Sequence, residues 1–299
     1  MNAPRSNRVE VNGWAVLDKP VGITSTQAVA RLKRLFNAKK AGHAGTLDPL
    51  ASGVLPVAFG EATKTVPFVQ DGEKTYRFTI AWGAETDSDD ADGVAVAQSE
   101  RRPETNEIRA ALPAFTGTIL QRPPAFSAIK IAGERAYDLA RDGEIVDLAP
   151  RPVEIYALAL VVADRDAAAF EARCGKGCYV RALARDLGRA LGCLGHVAEL
   201  RRTRVGPFAE SQAIALAHMA EFPVAETLLG VEAALAHLRK VVVDRESAAR
   251  LRRGQAILLR GRDAPEAGPA YASCGGVVVA VGAIEAGELV PGRVFNLPF

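Results

Sequence analysis

One carboxylate stands out by its surroundings in the sequence. Asp48 lies in the glycine-rich segment 42–53 (GHAGTLDPLASG), and it follows 29 residues, 19–47, that carry six basic residues and no acid. Neighbouring cations favour the ionised form of a carboxyl group, so this position suits an electrostatic or nucleophilic role better than proton donation. The alternative is structural, because an aspartate before a proline in a glycine-rich loop often hydrogen-bonds its own backbone in a turn. These residues by themselves leave both interpretations open.

A second cluster, 176–181 (KGCYVR), ends where a helix is predicted to begin. An arginine in the first turn of a helix is disfavoured by the helix dipole, so Arg181 is predicted to have a specific anionic partner, either a protein carboxylate or a phosphate. Tyr76 and Tyr179 are either core aromatics or platforms on which a base stacks. On its pattern alone, His43 is a loop or cap residue.

The sequence lacks the common cofactor and metal patterns. No glycine-rich loop ends in Gly-Lys-Ser or Gly-Lys-Thr, and the segment 175–177 (GKG) lacks the third glycine of a dinucleotide fingerprint. The four histidines are scattered and the four cysteines form no CxxC pair, so free thiols are expected. A run of aspartates without the terminal glutamate of a calcium loop is interpreted as a polar turn or a partner for basic loops: Asp87, Asp89, Asp90 and Asp92. No cofactor and no metal are expected.

Charge is distributed unevenly along the chain. The 37 basic and 35 acidic residues give a formal net charge of only +2, but 28 of the basic residues are arginine. Beyond the segment 19–47, the segments 173–208 and 239–262 each carry eight basic residues against two acidic ones. Such blocks predict a surface that binds a polyanion, and the alternative is a set of solvated helix faces.

The elements that must position these residues alternate irregularly. Strands are predicted at 14–18, 54–59, 74–82, 153–163, 168–173 and 277–281, and helices at 24–36, 104–112, 134–141, 179–191 and 245–252. Without a regular βαβ rhythm, this pattern predicts an α+β fold. Residues 239–299 are predicted to form a small, mostly β domain appended to residues 1–238. No apolar run has the length of a membrane helix and residues 1–10 lack the apolar part of a signal peptide, so a cytoplasmic protein is expected.

Seven blocks of the first 210 residues resemble, in order, the bacterial TruB family of tRNA pseudouridine-55 synthases. They are LDKPVGITS (17–25), GHAGTLDPLASGVLPVAFGEATK (42–64), KTYRFTIAWGAETDSDDADG (74–93), QRPPAFSAIKIAGERAYDLAR (121–141), RPVEI (151–155), GKGCYVRALARDLG (175–188) and AELRRTRVGPF (198–208). The resemblance implies the pseudouridine synthase fold, an α+β domain around a central, mainly antiparallel sheet. It also implies a PUA-like RNA-binding domain at 239–299 and an insertion, about 121–152, that closes over the RNA.

The resemblance further implies an isomerase that flips uridine 55 out of the T loop of tRNA and converts it to pseudouridine without a cofactor. The partner would be the T-arm stem-loop, and a monomer is expected. Whether the nucleophile attacks C1′ of the ribose or C6 of the uracil stays open. A different class of function is also open, that of a tRNA-folding chaperone or RNA-binding protein in which catalysis is secondary.

Carried over one by one, the family's site residues fall on eleven positions. Asp48 would be the nucleophile, Tyr76 the aromatic that stacks on the flipped uracil, and Arg181 the cation that holds Asp48. The other residues are expected to bind the substrate (His43, Tyr179, Leu200, Lys64, Lys130 and Asp90) or to support the active-site loop (Lys19 and Pro20). Ala44 and Phe126 depart from the family pattern, which commonly has threonine and tyrosine there.

Overall fold

The computed structural model describes residues 8–127, 129–131, 134–136, 147–259 and 266–298. None of the helices within those ranges combines the length and the apolar character needed to cross a bilayer.

The strands, in chain order, are β1 (Gly13–Lys19), β2 (Ala41–His43), β3 (Ser52–Phe59), β4 (Lys74–Trp82), β5 (Ala84–Thr86), β6 (Ala95–Gln98), β7 (Gly117–Gln121), β8 (Lys130–Ile131), β9 (Glu134–Arg135), β10 (Arg151–Ala163), β11 (Ala167–Cys174), β12 (Gly195–Val205), β13 (Phe208–Ala209), β14 (Ile214–Ala215), β15 (Arg239–Val242), β16 (Ile257–Leu258), β17 (Gly268–Cys274), β18 (Val277–Glu285) and β19 (Glu288–Val294).

The α-helices are α1 (Ser25–Leu35), α2 (Val66–Gln70), α3 (Thr105–Ala111), α4 (Val180–Ala190), α5 (Leu216–Met219), α6 (Val224–Thr227) and α7 (Arg245–Arg252). Short 3-10 helices occupy Gly60–Thr65, Leu112–Phe115, Glu210–Gln212 and Val231–Leu235.

A large central sheet carries most of these strands in the order β14, β1, β3, β12, β4, β11, β10, β7, with β2 paired to β3 and β13 paired to β12. Neighbouring strands are antiparallel except at two places, where β1 pairs with β14 and β3 pairs with β12 in parallel. The prediction of an α+β fold around a mainly antiparallel sheet is confirmed. The parallel pairing of β3 with β12 matters most for the site, because it places the end of the Asp48 loop beside β12.

Alternating side chains of the central strands build the main core. Phe78 of β4 and Phe170 of β11 stack with ring centroids 5.4 Å apart, and Leu183 and Leu187 of α4 are buried in the same cluster. The helix α4 packs against β12 and β4. Its first turn is therefore fixed over the middle of the sheet, near the strand that carries Tyr76.

A capping box starts α1 at the position that the sequence predicts. The Thr24 hydroxyl accepts a hydrogen bond from the Gln27 N–H at 3.1 Å, and the Gln27 side chain accepts one from the Thr24 N–H at 2.9 Å. Ala28 and Leu32 are fully buried on the face that packs against the core. The start of α1 is thereby fixed, and with it Ser25, which contacts the Asp48 loop.

The second sheet has the order β15, β17, β18, β19, β16 and is covered by α7. Its Tyr271 and Phe295 are buried in one apolar cluster with Trp14 and Phe208 of the central sheet. The prediction of a small, mostly β C-terminal unit is confirmed, and α7 has the predicted bounds. The apolar cluster makes the two sheets parts of one packed structure.

The predicted helix at 134–141 is wrong at its start. Glu134 and Arg135 form strand β9, which pairs with Lys130 and Ile131 of β8. Cross-strand hydrogen bonding outweighs the helical periodicity of so short a segment, because local propensity is a weak preference that tertiary context overrides. The remainder of that predicted helix, from 137 on, lies outside the described residues, as do 128, 132–133 and 142–146 of the predicted RNA-closing insertion.

Candidate active site

The loop between β2 and β3 carries Asp48. Its backbone is held on several sides: Ser25 binds both the N–H and the carbonyl of Leu47, at 2.8 and 3.0 Å. The Asp48 carbonyl accepts from the Ala51 N–H at 3.1 Å, and the Pro49 carbonyl accepts from the Gly22 N–H at 2.8 Å. The loop is a fixed turn, and its side chain at position 48 remains 36% exposed. The turn-forming and functional interpretations of Asp48 are therefore compatible.

Arg181, in the first turn of α4, forms an ion pair with Asp48. Its Nε lies 2.9 Å from Asp48 Oδ2, while its own side chain is only 5% exposed. The N–H at Nε lacks hydrogen-bond geometry toward that oxygen, so the contact is an ion pair. The two Nη groups donate instead to the backbone carbonyls of Ser88 and Phe126, at 2.9 and 2.8 Å. These backbone carbonyls hold the guanidinium in place, and the Asp48 carboxylate remains partly exposed.

Asp90 is a second carboxylate beside the same guanidinium. Its Oδ2 lies 3.6 Å from Arg181 Nε, and its side chain is 6% exposed. Burial raises the pKa of Asp90, while a hydrogen bond from Ser88 at 2.5 Å and the charge of Arg181 act in the opposite direction. The neighbouring Asp89 pairs with Arg185 of α4 at 2.9 Å. The segment that contains Asp89 and Asp90 is therefore both a polar turn and a partner of the basic helix α4.

Tyr76 lies in β4, opposite Ala172 of β11 and Arg202 of β12. Desolvation raises the pKa of its phenol to about 12, against the influence of the nearby Arg202 guanidinium. The phenol is accordingly neutral at physiological pH, which suits a stacking surface and a hydrogen-bond donor. As a proton acceptor it would need a neighbouring cation to stabilise the phenolate.

His43 ends β2 and precedes the Asp48 loop. Its Nδ1 is buried and meets no hydrogen-bond partner within the described part of the chain. Burial lowers the pKa of the imidazole, and the positive charge of Arg202 lowers it further. A neutral imidazole with an unused polar atom is compatible with contact to a polar ligand, whereas a simple cap would use that nitrogen.

Tyr179 directly precedes α4, and Leu200 lies in β12. The Tyr179 N–H donates to Gln121 Oε1 at 2.8 Å, and the Arg151 guanidinium lies over the Tyr179 ring, 5.4 Å from its centroid. Leu200 is 7% exposed and belongs to the main core. It also borders a groove of about 480 Å³ that Leu50, two residues after Asp48, lines as well.

Lys19 is fully buried at the end of β1 and supports the loop from below. Its Nζ donates to the carbonyls of Pro20 and Ile23, both at 2.8 Å, and lies 3.5 Å from the Pro49 carbonyl. Burial lowers the pKa of Lys19 to about 8, although Asp48 opposes the shift. These contacts fit the expected support of the active-site loop by Lys19 and Pro20.

Lys64 contacts the C-terminal unit and not the residues around Asp48 described above. Its Nζ pairs with Glu61 at 2.7 Å and donates to the Val294 carbonyl of β19 at 2.9 Å. The Glu61 carboxylate in turn accepts from the Asn296 N–H at 2.7 Å. In this state Lys64 joins the central sheet to the C-terminal unit. For Lys130, expected near the RNA, the structure describes only the backbone, in β8.

Both residues that depart from the family pattern take part in the described structure through their backbones. Ala44 is fully buried, and its N–H donates to the Pro56 carbonyl at 2.9 Å. Phe126 contributes its backbone carbonyl to Arg181, a contact that does not depend on the side chain.

Sequence reasoning missed several residues of the site. Arg202, at 1% exposure, is the largest omission; Ser25 and Gln121 are others. A signal was present for Arg202: it follows Leu200 at the period of two that defines one face of a strand, which puts an arginine on the same face as an apolar residue. The contacts of Ser25 and Gln121 carry no such pattern.

Two family sequence models match this chain. That of the TruB family pseudouridylate synthase (N terminal domain) matches residues 33–180, and that of the tRNA pseudouridylate synthase B C-terminal domain matches residues 181–250. Among similar proteins, the tRNA pseudouridine synthase B of Rhodopseudomonas palustris is 61% identical, over 98% of this chain and 83% of the relative. That of Nitrobacter winogradskyi is 60% identical, over 99% of this chain and 86% of the relative.

Solved structures agree with the sequence relatives. A protein in the crystal structure of a Cbf5-Nop10-Gar1 complex matches with a TM-score of 0.73 at 26% identity, over 95% of this chain and 84% of the other. One in the structure of an H/ACA RNP bound to a substrate RNA containing 2'-deoxyuridine matches with a TM-score of 0.73 at 25% identity, over 96% and 85%. The matched models, the identity over nearly the whole length and the shared fold establish that this chain belongs to the TruB family of pseudouridylate synthases.

Proposed function

We propose that this protein converts uridine 55 in the T loop of tRNA to pseudouridine, with Asp48 as the nucleophile. The ion pair between the accessible Asp48 carboxylate and the buried Arg181 guanidinium carries the proposal. A carboxylate that is ionised, aimed and reachable is the group that nucleophilic catalysis at a nucleoside requires. Family membership and the names of the relatives support tRNA as the substrate.

The reaction is an isomerisation and balances without a redox partner. The bond between N1 of uracil and C1′ of the ribose breaks, a bond between C5 and C1′ forms, C5 loses its proton, and N1 gains one. Asp48 forms a transient bond to C1′ or to C6 and is released unchanged. The target base has to leave the stack of the T loop first, at a cost of a few kcal/mol.

The residues around Asp48 have separate parts in this scheme. Arg181 pairs with the carboxylate and fixes its direction, since two backbone carbonyls hold the guanidinium. Asp90 shares the guanidinium from its buried side. Tyr76 supplies the stacking surface for the flipped uracil, and its high pKa makes it a neutral donor until the proton of C5 has to leave.

We assign the surrounding positions to the RNA. His43 fills the space that the uridine vacates, with its unpartnered Nδ1 available to the RNA, and Tyr179 and Leu200 border the base. Lys130 and the insertion at about 121–152 contact the loop, and Lys64 reaches the RNA only by exchanging its contact with Val294.

The chain divides, in this proposal, into a catalytic domain, 1–238, and an RNA-binding domain, 239–299. Two separate sheets support that division. The basic segment 239–262 supplies phosphate contacts away from the reacting uridine, which add affinity without adding chemistry.

Replacement of Asp48 by asparagine tests the proposal. Asp48→Asn keeps the shape of the side chain and removes its charge and nucleophilicity, so T-arm RNA labelled with tritium at C5 of uridine should release no tritium above background. Binding of the same RNA should stay within about threefold of the parent, because Asp48 adds little to uniform binding. Asp71→Asn, an exposed aspartate that pairs with Lys176, is the matched control and should release tritium at the parent rate.

Two outcomes contradict different parts of the proposal. Tritium release by Asp48→Asn near the parent rate excludes Asp48 as the nucleophile. Pseudouridine found by nucleoside mapping of treated tRNA at positions outside the T loop excludes the assignment to uridine 55 and leaves the family membership intact.

A further inference from the structure

Arg202 of β12 is a buried guanidinium that pairs with no carboxylate in the described part of the chain. Its side chain is 1% exposed, and no described Asp or Glu oxygen pairs with it within 4.0 Å. Its neighbours on the strand differ. Arg201 forms ion pairs with Asp18 and Glu210, and Arg204 is exposed. A buried charge of this kind costs free energy unless it is fully hydrogen-bonded, so its contacts indicate why the fold holds it there.

Three hydrogen bonds of Arg202 go to the loop that carries Asp48 and to β3, the strand that follows this loop. Nη2 donates to the Gly45 carbonyl at 3.0 Å, Nη1 to the Thr46 carbonyl at 3.3 Å, and Nε to the Val54 carbonyl at 2.9 Å. Gly45 and Thr46 precede Asp48, and Val54 follows it. One planar group therefore joins the first part of the loop to β3, with Asp48 between the two contacts in the chain.

The backbone of β12 is also in close contact with this loop. Arg202 pairs with Gly53 in the parallel register of β12 and β3. A Cβ at Gly53 would lie 2.2 Å from the Arg202 carbonyl oxygen, and Gly53 has a φ of +99°, so only glycine fits. At the other end, a Cβ at Gly45 would lie 3.4 Å from Arg202 Nη1. The two glycines let the loop approach the arginine at both ends.

The charge of Arg202 reaches further site residues. It lies opposite Tyr76 in the pairing of β12 with β4. It lowers the pKa of Tyr76 against the effect of burial, and it adds to the lowering of the pKa of His43. The same cation thus influences the loop that carries the nucleophile, the expected stacking aromatic and the expected space-filling histidine.

We propose that Arg202 is a positioning residue for the reaction, which joins the loop that carries Asp48 to the following strand β3 and so fixes the direction of the Asp48 carboxylate. The proposal rests on the role of Asp48 proposed above. Arg181 fixes the carboxylate from the helix side, and Arg202 fixes the backbone beneath it. A misplacement of about 1 Å in such a site lowers the rate on the order of 100-fold.

The experiment compares Arg202→Met and Arg202→Lys with Arg204→Met, an exposed arginine two residues along the same strand. Single-turnover pseudouridine formation at saturating T-arm RNA, the dissociation constant of that RNA and the thermal unfolding midpoint are measured for each protein. All rates are taken well below the unfolding midpoint of every variant. We expect Arg202→Met to lose at least about 100-fold in rate, with the dissociation constant within about threefold.

The lysine variant separates charge from shape. Lysine keeps the positive charge but is a point donor that does not reach three carbonyls in one plane, so its rate should stay at least about 10-fold below the parent. If Arg202→Met does not fold, the rate of Arg202→Lys decides whether the proposal holds. Arg204→Met should react at the parent rate.

The proposal is overturned if either folded Arg202 variant reacts at the parent rate at saturating RNA, or if the loss lies in the dissociation constant alone. A lower unfolding midpoint with an unchanged rate would make Arg202 purely structural. Failure of the parent protein to form pseudouridine in T-arm RNA overturns the proposed function instead, and the two failures are therefore distinguishable.

Discussion

The Asp48 carboxylate is more exposed to solvent than the cations near it. The Asp48 side chain is 36% exposed, whereas that of Arg181 is 5% exposed and Arg202 and Lys19 are buried. Buried cations keep their strength because water and salt do not screen them, and the exposed carboxylate remains available to a substrate. The site therefore offers a negative group on its surface with the positive groups that orient it held in the protein.

Lys19 gives a prediction about the pH dependence of stability. Its pKa falls from 10.5 in the unfolded chain to about 8 in the folded one. Between these values the unfolded state binds more protons than the folded state, so the contribution of Lys19 to the free energy of unfolding rises as the pH increases from about 8 to 10.5. Lys19→Met lacks this gain. Urea unfolding should show that the variant's deficit in stability relative to the parent is larger at pH 9.5 than at pH 7.

A deficit that is constant or shrinks over this range would contradict the lowered pKa. Lys39→Met is the matched control, because Lys39 is exposed and pairs with Glu10 at the surface. Its effect on stability should be small and should not grow between pH 7 and pH 9.5.

At the scale of elements, the Asp48 loop has no regular structure of its own and takes its shape from its neighbours. The carbonyls from Gly45 to Pro49 are each bound by a donor, namely Arg202, Ser25, the Ala51 N–H, the Gly22 N–H and Lys19. These donors come from β1, the turn between β1 and α1, α1, β12 and the loop itself. A loop held in this way is preorganised, which lowers the cost of aiming its side chain during the reaction.

Ser25, the first residue of α1, gives the prediction at this scale. Ser25→Ala leaves the N–H and the carbonyl of Leu47 buried without their partner, so the free energy of unfolding should fall by about 2 kcal/mol. The rate of pseudouridine formation at saturating RNA should fall as well, because the loop loses its contact directly before Asp48. Chemical unfolding and single-turnover kinetics measure the two effects.

Thr24→Ala is the control next to it. It removes the helix cap, at a cost of about 1 kcal/mol, and leaves the contacts of the Asp48 loop in place. Its rate should equal that of the parent. An equal loss of rate in the two variants would show that the helix end as a whole, and not the Ser25 contact, sets the loop.

At the scale of the whole molecule, the C-terminal unit is joined to the central sheet and the elements that follow β3 by a buried apolar cluster and by polar contacts. Tyr271 and Phe295 pack with Trp14 and Phe208, and Lys64 donates to the Val294 carbonyl. Removal of the C-terminal unit would expose this cluster, so the RNA-binding role proposed for this unit is better tested by surface substitutions than by truncation.

The combined variant Arg239→Gln, Lys240→Gln, Arg253→Gln makes that test. All three side chains are exposed on the C-terminal unit. If each contacts a phosphate, the log–log salt slope of tRNA binding should fall in magnitude by about 0.7 to 0.9 per contact, and the affinity should weaken. The single-turnover rate at saturating tRNA should stay at the parent value. An unchanged salt slope would show that this basic segment is a solvated face.

Local pattern determined much about this protein from its sequence alone. The start of α1, the bounds of α7 and the bounds of β4 depend on residues that are neighbours in the chain, and the structure has them at the predicted places. The blocks shared with the TruB family also indicated the fold class, because a fold follows from many positions together. Asp48 was found because the contrast of charge around it is local as well.

Tertiary structure decided which groups meet and which are buried. Arg181 binds the carbonyls of Ser88 and Phe126, which are 93 and 55 positions away in the chain. Arg202 binds Gly45 across 157 positions. Lys64 binds Val294 across 230. Such partners come together only when strands pair in one particular order, and the pKa values of Lys19, His43 and Tyr76 depend on the burial that results. Neither pairing order nor burial of a single charged side chain is encoded within a short stretch of sequence, because both are properties of the packed whole.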